Sequence, residues 1–539
     1  MKARVAALGC SLLFSLTAAC NSISGVNDYS VGCSKNVDCT GDYQVCDKTE
    51  HRCVSLKSAE CETVLAGNFE TKTLYGGDLW KDDNAIILGS IIPLKGGDAT
   101  TGLPLAKSLA LAVGELNKSG IFPSGDSVGK RPLVVVACTE TADDSNDLTA
   151  HIRAAKHLVN DLHVPAILGA AYSGDTQDVA DVATPAGTLV MSPTATSTTL
   201  SSLGDLVWRT SPSDAIQGAA LVALMPIVEA ATKKRVVDAG GTVDQLNVWM
   251  INKSDSYGAG LAETVKTSLK VNGQDVPTAQ AAKHFSAAQY DDTAAVDIAG
   301  IVASLPNIVF LFGTNEAIGL MNAIEAAWPA DKPRPTYLYA DGGLVSEVWE
   351  IKSEDLRKRI FGTVPGTTGA LYDKFIGAYS LDYNDATSGF TSGTAAAYDA
   401  AYVLGLAIAE GHSQPITGQS IANGLKKLVG GTKTCAPTAP MECVPGINTA
   451  GSLVKTTAAG TVIDYTGPSG PLDFDITTGE APSDIQIWCV SKITNGNDEG
   501  TAGASGLLYS ATSGTIVDAE GNAVGARSLA EVVKAKCNL

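Results

Sequence analysis

Short apolar segments alternate along the chain with longer segments whose apolar residues recur at helical spacing. From residue 85 onward the predicted strands are AIILGSII, PLVVVAC, VPAILGA, TLVMS and DLVWRT. Segments such as LPLAKSLALAVGELNKSG and LTAHIRAAKHLVNDL lie between them and have the pattern of amphipathic helices. Strands that are apolar on both faces, separated by helices, indicate a parallel sheet covered by helices on both sides.

The alternation is repeated in the second half of the chain. LNVWMIN, NIVFLF, PTYLYA and RIFGTV are the predicted strands there, and helical segments such as AGLAETVKTSLK separate them. We therefore predict an α/β fold of two doubly wound lobes, each built on its own parallel sheet. Residues 430–465 and 492–527 are rich in Gly, Thr, Ala and Ser, which is typical of surface insertions.

The N-terminus has the pattern of an export signal. Two basic residues precede an apolar stretch, 5–19, that is too short to span a bilayer and ends in SLTAAC. This ending resembles the bacterial lipobox, although Leu16 lies four positions before Cys20 rather than three. We expect residues 1–19 to be removed and Cys20 to be lipidated; ordinary signal-peptidase cleavage would instead leave Cys20 for a disulfide. We expect no other segment to be apolar enough to cross a membrane.

Cysteine spacing agrees with an exported protein. Four of the 12 cysteines lie within residues 33–53, a segment too short to form its own core, so we predict a small disulfide-held module. A zinc site is the alternative, but the segment has no CxxC pair. The pairings we favour in the module are Cys33–Cys46 and Cys39–Cys53. Spacing also suggests Cys435–Cys443 and Cys489–Cys537, and it leaves Cys61 and Cys138 unassigned.

Length and charge limit the class of protein. A chain of 539 residues can form two or three domains with sizeable cores. It has 38 basic and 57 acidic side chains and a formal net charge of −19. No basic segment is dense enough to bind a phosphate backbone, so we expect no nucleic-acid partner.

Motifs of the common enzyme classes are scarce. The chain has no P-loop and no GxGxxG, and AAYSGD lacks the flanking glycines of a nucleophile elbow. His151, His157 and His163 lie on or just after one predicted helix, and we interpret them as surface residues. No pair of carboxylates stands out from the acidic background, and no motif predicts a metal or a cofactor. We therefore expect no enzyme; an exported hydrolase is an alternative that no nucleophile constellation supports.

Hydroxyl-rich turns follow two neighbouring predicted strands. AAYSGDTQ and SPTATSTT both come at the carboxyl ends of strands, where open parallel sheets bind their ligands. Helix N-termini offer unpaired N–H groups, and Ser and Thr add neutral donors, so the turns could hold a carboxylate without Lys or Arg. For each turn taken alone, helix capping is the better explanation. Their order in one lobe favours a shared carboxylate site.

A series of motifs runs through the chain in a fixed order. It comprises GSIIPLKG, LALAVGELNKSGI, LVVVACTETAD, VPAILGAAYSGDTQDVADVA, LVMSPTATSTTL, VWRTSPSDAIQGAAL, SYGAGLAETV, YADGG and GPSGPLDFDITTGE. The series resembles type I periplasmic binding proteins, in the branch of the Leu/Ile/Val-binding receptors of ABC transporters. The likeness covers about residues 84–410 and 465–490, and it implies a two-lobed ligand trap with a three-strand hinge.

The resemblance implies a division of the chain. The three hinge crossings are expected near 209–212, 362–365 and 467–473. The expected domains are a signal peptide (1–19), a lipidated tether with the Cys-rich module and a linker (20–83), a first lobe (84–210 and 365–467) and a second lobe (211–364 and 468–539). The Cys-rich module and the insertions are not standard in the family.

The resemblance also implies where an amino acid's carboxylate would bind. In the family, the turn after the third strand and the S-P-x-A-T turn hold this group. The matching residues here are Ser173, Thr194, Ala195 and Thr196.

The remaining ligand contacts implied by the resemblance come from both lobes. The first-strand loop and a tyrosine of the second lobe contact the ligand side chain in the family, which implies Thr101, Tyr172 and Tyr257 here. An acidic residue of the second lobe binds the ammonium group, which implies Asp341, with Thr314 nearby.

Two departures from the family bear on the ligand. Branched-chain binders usually have a tyrosine near the Thr314 position and a glutamate at the Asp341 position. Asp341 is also followed by Gly342 and Gly343, so it could be a turn residue. The shorter acid and the missing ring leave the specific amino acid open.

The sequence therefore predicts a lipid-anchored solute-binding protein on the periplasmic or extracytoplasmic face of a membrane. It would capture a small amino acid or related carboxylate by closure of the two lobes, and present it to the permease of an ABC importer. The alternative is a receptor subunit that uses the same trap to signal to a partner protein.

Overall fold

The computed structural model of the protein describes most of the chain. The described residues are 32–66, 78–122, 131–144, 146–291, 295–366, 370–385, 387–410, 415–429, 433–435, 463–490, 502–518 and 521–524. The predicted signal peptide, Cys20, Cys443 and Cys537 lie outside these ranges.

Strands and helices alternate through both halves of the chain, as the apolar pattern predicts. The strands are β1 (Gln44–Asp47), β2 (Arg52–Ser55), β3 (Thr63–Leu65), β4 (Ile86–Ile92), β5 (Leu133–Thr139), β6 (Ala166–Gly169), β7 (Leu189–Ser192), β8 (Val207–Arg209), β9 (Val248–Lys253), β10 (Lys270–Val271), β11 (Gln274–Asp275), β12 (Phe285–Tyr290), β13 (Ile308–Phe312), β14 (Thr336–Tyr339), β15 (Ile360–Pro365), β16 (Lys433–Cys435), β17 (Ile463–Gly467), β18 (Gly470–Pro471), β19 (Ile485–Val490), β20 (Ala502–Ser510) and β21 (Thr515–Val517).

The α-helices follow the predicted amphipathic segments, and α1 ends where Gly120 adopts a left-handed conformation with φ of 59°. The helices are α1 (Ala99–Ser119), α2 (Ala150–Lys156), α3 (Ser173–Ala183), α4 (Asp214–Asp238), α5 (Ser256–Ser268), α6 (Val276–Ala281), α7 (Ile298–Ala303), α8 (Asn315–Ala327), α9 (Ser346–Trp349), α10 (Glu354–Arg357), α11 (Ala370–Tyr383), α12 (Thr394–Glu410) and α13 (Gly418–Leu425).

The first lobe is built on a sheet of six strands in the order β3-β5-β4-β6-β7-β8. All neighbouring strands are parallel except β3, which runs antiparallel to β5. The central strand β4 is almost completely buried, with Ser90 opposite Ala137 on one side and Leu168 on the other. Helices α1 and α12 cover one face of this sheet, and α2 and α3 cover the other. The predicted doubly wound arrangement is confirmed.

The second lobe is built on a sheet of eight strands in the order β12-β9-β13-β14-β15-β19-β20-β21. The first five strands of this order are parallel, and the last three are antiparallel to their neighbours. Because β20 and β21 belong to this sheet and Leu507 is fully buried, the prediction that 492–527 is a surface insertion was wrong for these strands. The small residues of β20 hide its strand pattern in the sequence.

Three crossings of the chain connect the lobes, as the predicted hinge requires. The first leads from β8 to α4 and the second from β15 to α11, close to their predicted positions. The third lies later than predicted, because Leu472, Phe474 and Ala481 still pack in the core of the first lobe. The chain enters the second sheet only at Ile485.

The Cys-rich module contains the predicted Cys33–Cys46 and Cys39–Cys53 disulfides, which use the sulfurs that a zinc site would need. The module packs on the first lobe, where the ring of Tyr43 stacks on Trp80 at a centroid distance of 4.8 Å.

The segment after the module is a structural part of the first lobe, although the sequence suggested a linker. Strand β3 extends the first sheet, and a disulfide joins Cys61 to Cys138 in β5. Cys489 is also disulfide-bonded, but its predicted partner Cys537 lies outside the described residues.

Helix α4 departs from the expectation that no segment beyond the signal peptide is apolar enough to cross a membrane. It has 25 residues and, by length and composition alone, is apolar enough to cross a membrane. Half of its most apolar window is buried, and Leu221, Leu224 and Val228 pack in the core of the second lobe. A buried core helix passes the same test, so this finding is weak evidence for a membrane span.

Asp399 on α12 holds the segment that leads toward the third crossing. Its carboxylate accepts hydrogen bonds from Tyr465 Oη at 2.7 Å and from the backbone N–H and hydroxyl of Ser469 at 2.8 and 2.5 Å. A side chain at Gly467 would collide with this carboxylate. Burial raises the pKa of Asp399 to about 7, and the three donors oppose that rise.

Replacing Asp399 with Asn should change how stability depends on pH. Asp399 has an ordinary pKa of 3.8 and a folded pKa of about 7, so between these values the unfolded chain loses a proton that the folded protein keeps. The stabilisation that Asp399 contributes therefore falls as pH rises from 4 to 7, by up to roughly 4 kcal/mol. When urea unfolding is measured across this pH range, the free energy of unfolding of Asp399→Asn should fall less than that of the natural protein.

Asp275→Asn is the matched control, because Asp275 is exposed. This control should keep the pH dependence of the natural protein. Parallel curves for the natural protein and Asp399→Asn would contradict the role of Asp399.

Candidate ligand-binding site

A cavity of about 500 Å³ lies between the lobes. Its walls are the loops that follow β4, β5, β6 and β7 in the first lobe and β9, β13 and β14 in the second. The carboxyl ends of both parallel sheets therefore face one space, as expected for this architecture. Eight of the nine predicted ligand-binding residues line it. Ala195 does not line the cavity, since it is buried and donates its N–H to Ser192 Oγ at 3.0 Å.

The two hydroxyl-rich turns are joined directly to each other. Thr194 Oγ1 donates to the carbonyl oxygen of Ala171 at 2.7 Å, and Ser192 Oγ donates to that of Ala170 at 2.6 Å. In the other direction, the N–H of Ser197 donates to Ser173 Oγ at 3.2 Å. The turns therefore form one unit, and part of their hydroxyl chemistry is structural.

One hydroxyl of this unit keeps a donor for a ligand. Ser173 Oγ accepts from Ser197, so its own proton can be donated to another acceptor. Thr196 is 1% exposed and lines the cavity, and its hydroxyl lies close enough to the carboxyl of Asp214 to lower the pKa of that acid. Both lie beside the N-terminus of α3, where the partial positive charge favours an anion. The arrangement suits a carboxylate.

Glu140 shapes the turn that carries Tyr172. It directly follows β5, and its two carboxylate oxygens accept the backbone N–H groups of Ala171 and Tyr172 at 2.9 and 2.8 Å. Burial, and the nearby carboxyl of Asp175, raise the pKa of Glu140 well above its ordinary value. Burial also raises the pKa of Asp175, and the two carboxyls are close enough to share a proton.

His151 is buried, so its interpretation as a surface residue was wrong. Its side chain is 5% exposed, with Nε2 3.0 Å from Asp178 Oδ2 and Nδ1 3.6 Å from Asp175 Oδ2. His151 and Asp175 both line the cavity. His157 is also largely buried, whereas His163 is exposed as expected.

In the second lobe, Asp341 is held by two side chains. Tyr257 Oη and Gln217 Nε2 both donate to Asp341 Oδ1, at 2.7 and 2.6 Å. The Gly342 N–H in turn donates to Tyr257 Oη at 3.0 Å. Burial raises the pKa of Asp341, and the bonds from Tyr257 and Gln217 oppose the rise. These contacts to a neighbouring helix and tyrosine give Asp341 more than the role of a turn residue.

Behind Asp341 lies a second, fully buried carboxyl, Asp214. Burial and the charge of Asp341 raise its pKa well above the ordinary value; nearby Thr196 and Arg209 lower it. Neither oxygen of Asp214 has a well-aligned hydrogen-bond partner in the described chain. Its backbone N–H donates to the carbonyl oxygen of Thr196 at 2.8 Å, which connects the second lobe to the hydroxyl-rich turn after β7.

Thr314 lines the cavity, but its hydroxyl is already committed. It donates to Glu316 Oε2 at 2.6 Å, and its N–H donates to Glu316 Oε1 at 3.0 Å. Tyr290 Oη donates to the same Oε1 at 3.0 Å. Glu316 thus organises this wall from behind Thr314.

Arg209 ties the site to the hinge. The side chain is 3% exposed at the end of β8, where Nη1 donates to the carbonyl oxygen of Ser197 at 2.7 Å. Nη2 donates to Ser201 Oγ at 2.9 Å and pairs with Glu480, from the segment before the third crossing.

Sequence reasoning missed five residues of the site: Glu140, His151, Asp175, Asp214 and Gln217. A signal existed for Glu140, which stands at the carboxyl end of a predicted parallel strand. Asp175 lies within AAYSGDTQ itself. The pairing of these acids depends on tertiary packing, so their spacing in the sequence gives no warning of it.

A family model described as "Periplasmic binding protein" matches residues 85–490. The chain belongs to this family. Its resemblance to the type I branch is confirmed.

Among curated relatives, the binding protein is 30% identical to the Leu/Ile/Val-binding protein BraC3 of Rhizobium johnstonii over 189 residues. The match covers 35% of this chain and 45% of that relative, so the chain spans about half the length of the curated protein it matches.

Solved structures share the fold. A leucine-binding protein of Thermotoga maritima has a TM-score of 0.54 and 17% identity, with 78% of this chain and 98% of that one covered. A branched-chain amino acid transporter substrate-binding protein of Streptococcus pneumoniae, in complex with isoleucine, has a TM-score of 0.52 and 18% identity, with 77% and 97% covered.

Replacing Glu140 with Gln should destabilise the binding protein. A Gln side chain has one acceptor oxygen, so one of the two N–H groups of Ala171 and Tyr172 loses its partner. A buried, unpaired N–H costs about 1–3 kcal/mol, and chemical denaturation should show a loss of that size. Glu263→Gln on the exposed face of α5 is the control and should be neutral. An unchanged stability of Glu140→Gln would contradict the structural role of Glu140.

Proposed function

We propose that the protein is a lipid-anchored, extracytoplasmic solute-binding protein that captures an amino acid or related carboxylate and presents it to an ABC importer. The observation that carries this proposal is the polarity of the cavity. Donor hydroxyls at a helix N-terminus lie in the first lobe, and a buried carboxylate lies in the second. An α-amino acid has the matching pair of charges.

The carboxylate would bind at the unit formed by the two turns. Ser173 supplies a hydroxyl donor, and Thr194, Thr196 and the α3 N-terminus complete this wall. The ammonium would bind at Asp341, whose carboxylate is already oriented by Tyr257 and Gln217. Fixed partners of this kind reduce the ordering cost of binding.

Ligand-driven closure follows from the position of the two charged ends. Since the carboxylate site and Asp341 belong to different lobes, a ligand that contacts both favours the closed arrangement. Thr101, Tyr172, Tyr257 and Thr314 line the space between and would contact the ligand side chain. No covalent step is needed for this role. The relatives named above, whose printed descriptions are of Leu/Ile/Val and isoleucine binding, support an amino acid as ligand.

Calorimetric titration with the twenty amino acids tests the proposal. We expect Ser173→Ala to weaken binding roughly 10- to 100-fold, because it removes a hydrogen bond to a charged group. Asp341→Asn should weaken it at least as much, because the ammonium loses its counter-charge. Ser513→Ala and Asp275→Asn, both exposed, are the matched controls and should bind normally. Absence of binding by every amino acid, with cooperative unfolding intact, would contradict the proposed ligand class.

The lipid anchor is testable separately. Expressed with its leader in a bacterial host, the natural protein should fractionate with membranes, and Cys20→Ser should move it to the soluble fraction. Ligand affinity should be the same for both forms. A natural protein found only in the soluble fraction would contradict the anchor and leave the binding role untouched.

A further inference from the structure

The two lobes touch each other directly beside the cavity. Ser197 Oγ donates to the carbonyl oxygen of Ser256 at 3.0 Å. Ser197 lies in the turn after β7 of the first lobe, whereas Ser256 is the first residue of α5 in the second lobe. Neither is among the described residues that line the cavity. This hydrogen bond therefore joins the lobes without passing through the ligand space.

Two helical glycines lie at the same contact. A Cβ atom at Gly260 on α5 would lie 3.5 Å from Ser197 Oγ, and one at Gly174 on α3 would lie 3.8 Å from Ser256 Oγ. Each glycine thus faces a serine of the opposite lobe. Neither glycine has a positive φ, so the backbone conformation does not require glycine. Gly260 lies within α5, where glycine costs about 0.5–1 kcal/mol relative to alanine, and its small size lets the lobes approach closely.

Ser197 connects this contact to the ligand site and to the hinge. It is fully buried, and each of its polar groups has a different partner. Its N–H donates to Ser173 Oγ at 3.2 Å, and its carbonyl oxygen accepts from Arg209 Nη1 at 2.7 Å. Its hydroxyl donates to Ser256 in the other lobe. Because one residue makes all three contacts, the position of Ser173 and the closure of the lobes depend on each other.

We propose that Gly174, Ser197, Ser256 and Gly260 form an interlobe latch, which stabilises the closed arrangement of the lobes. Within the latch, Ser197 is a positioning residue, because it places Ser173 without lining the ligand space itself. A ligand that contacts both lobes binds with an apparent affinity proportional to the closed fraction, so the latch raises that affinity. The effect on affinity rests on the proposed function, whereas the latch contact itself needs no ligand.

Cysteine pairs test the latch in the absence of ligand. Gly174→Cys with Ser256→Cys, and Ser197→Cys with Gly260→Cys, place two sulfurs across the contact, within reach of a disulfide. Each pair should form this disulfide when the unliganded protein is oxidised with diamide, and mass spectrometry should detect the linked peptides. The single-cysteine variants are the controls and should give no such link. Absence of linked peptides from both pairs, with cooperative unfolding intact, would overturn the latch.

The rate of cross-linking tests the role of the Ser197 hydroxyl. Ser197→Ala removes the hydrogen bond between the lobes and leaves the backbone contacts to Ser173 and Arg209 in place. Added to the Gly174→Cys, Ser256→Cys pair, it should slow cross-linking about threefold or more, since the hydrogen bond is to the Ser256 backbone and survives in the pair. An unchanged rate would contradict the role of Ser197.

Ligand affinity separates the latch from the proposed function. In calorimetric titration with the twenty amino acids, Ser197→Ala should weaken the tightest binding about 3- to 10-fold. Gly260→Leu should weaken it more than about 10-fold, because its side chain would lie against Ser197 and hold the lobes apart. Normal affinity in both variants would overturn the latch. Absence of binding by every amino acid in the natural protein would overturn the proposed function and leave the cross-linking to decide the latch.

Two variants are matched controls for the titration. Thr199→Ala removes an exposed hydroxyl that contacts Ser197 Oγ at 3.0 Å but leaves the bond between the lobes in place. Gly319→Leu adds the same side chain as Gly260→Leu at an exposed helical glycine that faces open space. Both controls should bind normally, and both should unfold cooperatively in urea together with the test variants.

Discussion

The buried guanidinium of Arg209 is the contact on which the site depends most. It joins the turn at Ser197 to the acid Glu480 before the third crossing, and its charge acts on Asp214 at the start of α4. A buried ion pair of this kind adds little net stability against an apolar replacement, but removing one partner costs about 3–5 kcal/mol. The buried ion pair therefore matters because it fixes positions, not because it adds net stability. It fixes the position of the hydroxyl-rich turns relative to two of the three segments that cross between the lobes.

The parts of the fold that could be predicted are those whose structure is decided by the residues of the segment itself. The fully apolar runs of β4 to β7 and β13 identify buried parallel strands without any tertiary information, and the Ser- and Thr-rich turns after β6 and β7 identify one edge of the sheet. The antiparallel strand β20 has Gly, Ala and Ser in place of a clear apolar run, so its burial is decided by the neighbouring sheet. The third crossing was misplaced for the same reason, because Phe474 packs against Trp208, far away in sequence.

In the candidate site, too, the sequence identifies some residues and gives no sign of others. Its hydroxyls and Asp341 could be identified in the sequence through motif order, whereas their assignment to a ligand stays a prediction. The acids Glu140, Asp175 and Asp214 could not be paired from sequence, because carboxyls close together in the fold come from different elements. Their burial is costly and is not needed for a stable core, since apolar residues would fill the same volume more favourably. Such costs are common at functional sites, where stability is exchanged for binding.

The disulfide between Cys61 and Cys138, together with β3, secures the N-terminal segment to the central part of the first sheet. A protein held at its N-terminus would therefore be attached to a surface through its first lobe, and its second lobe would be free to move about the hinge. In that arrangement the attached lobe would contain the turns with the donor hydroxyls, and the moving lobe would contain Asp341. A pull on the N-terminus would then act on a covalently braced sheet before it reaches the hinge.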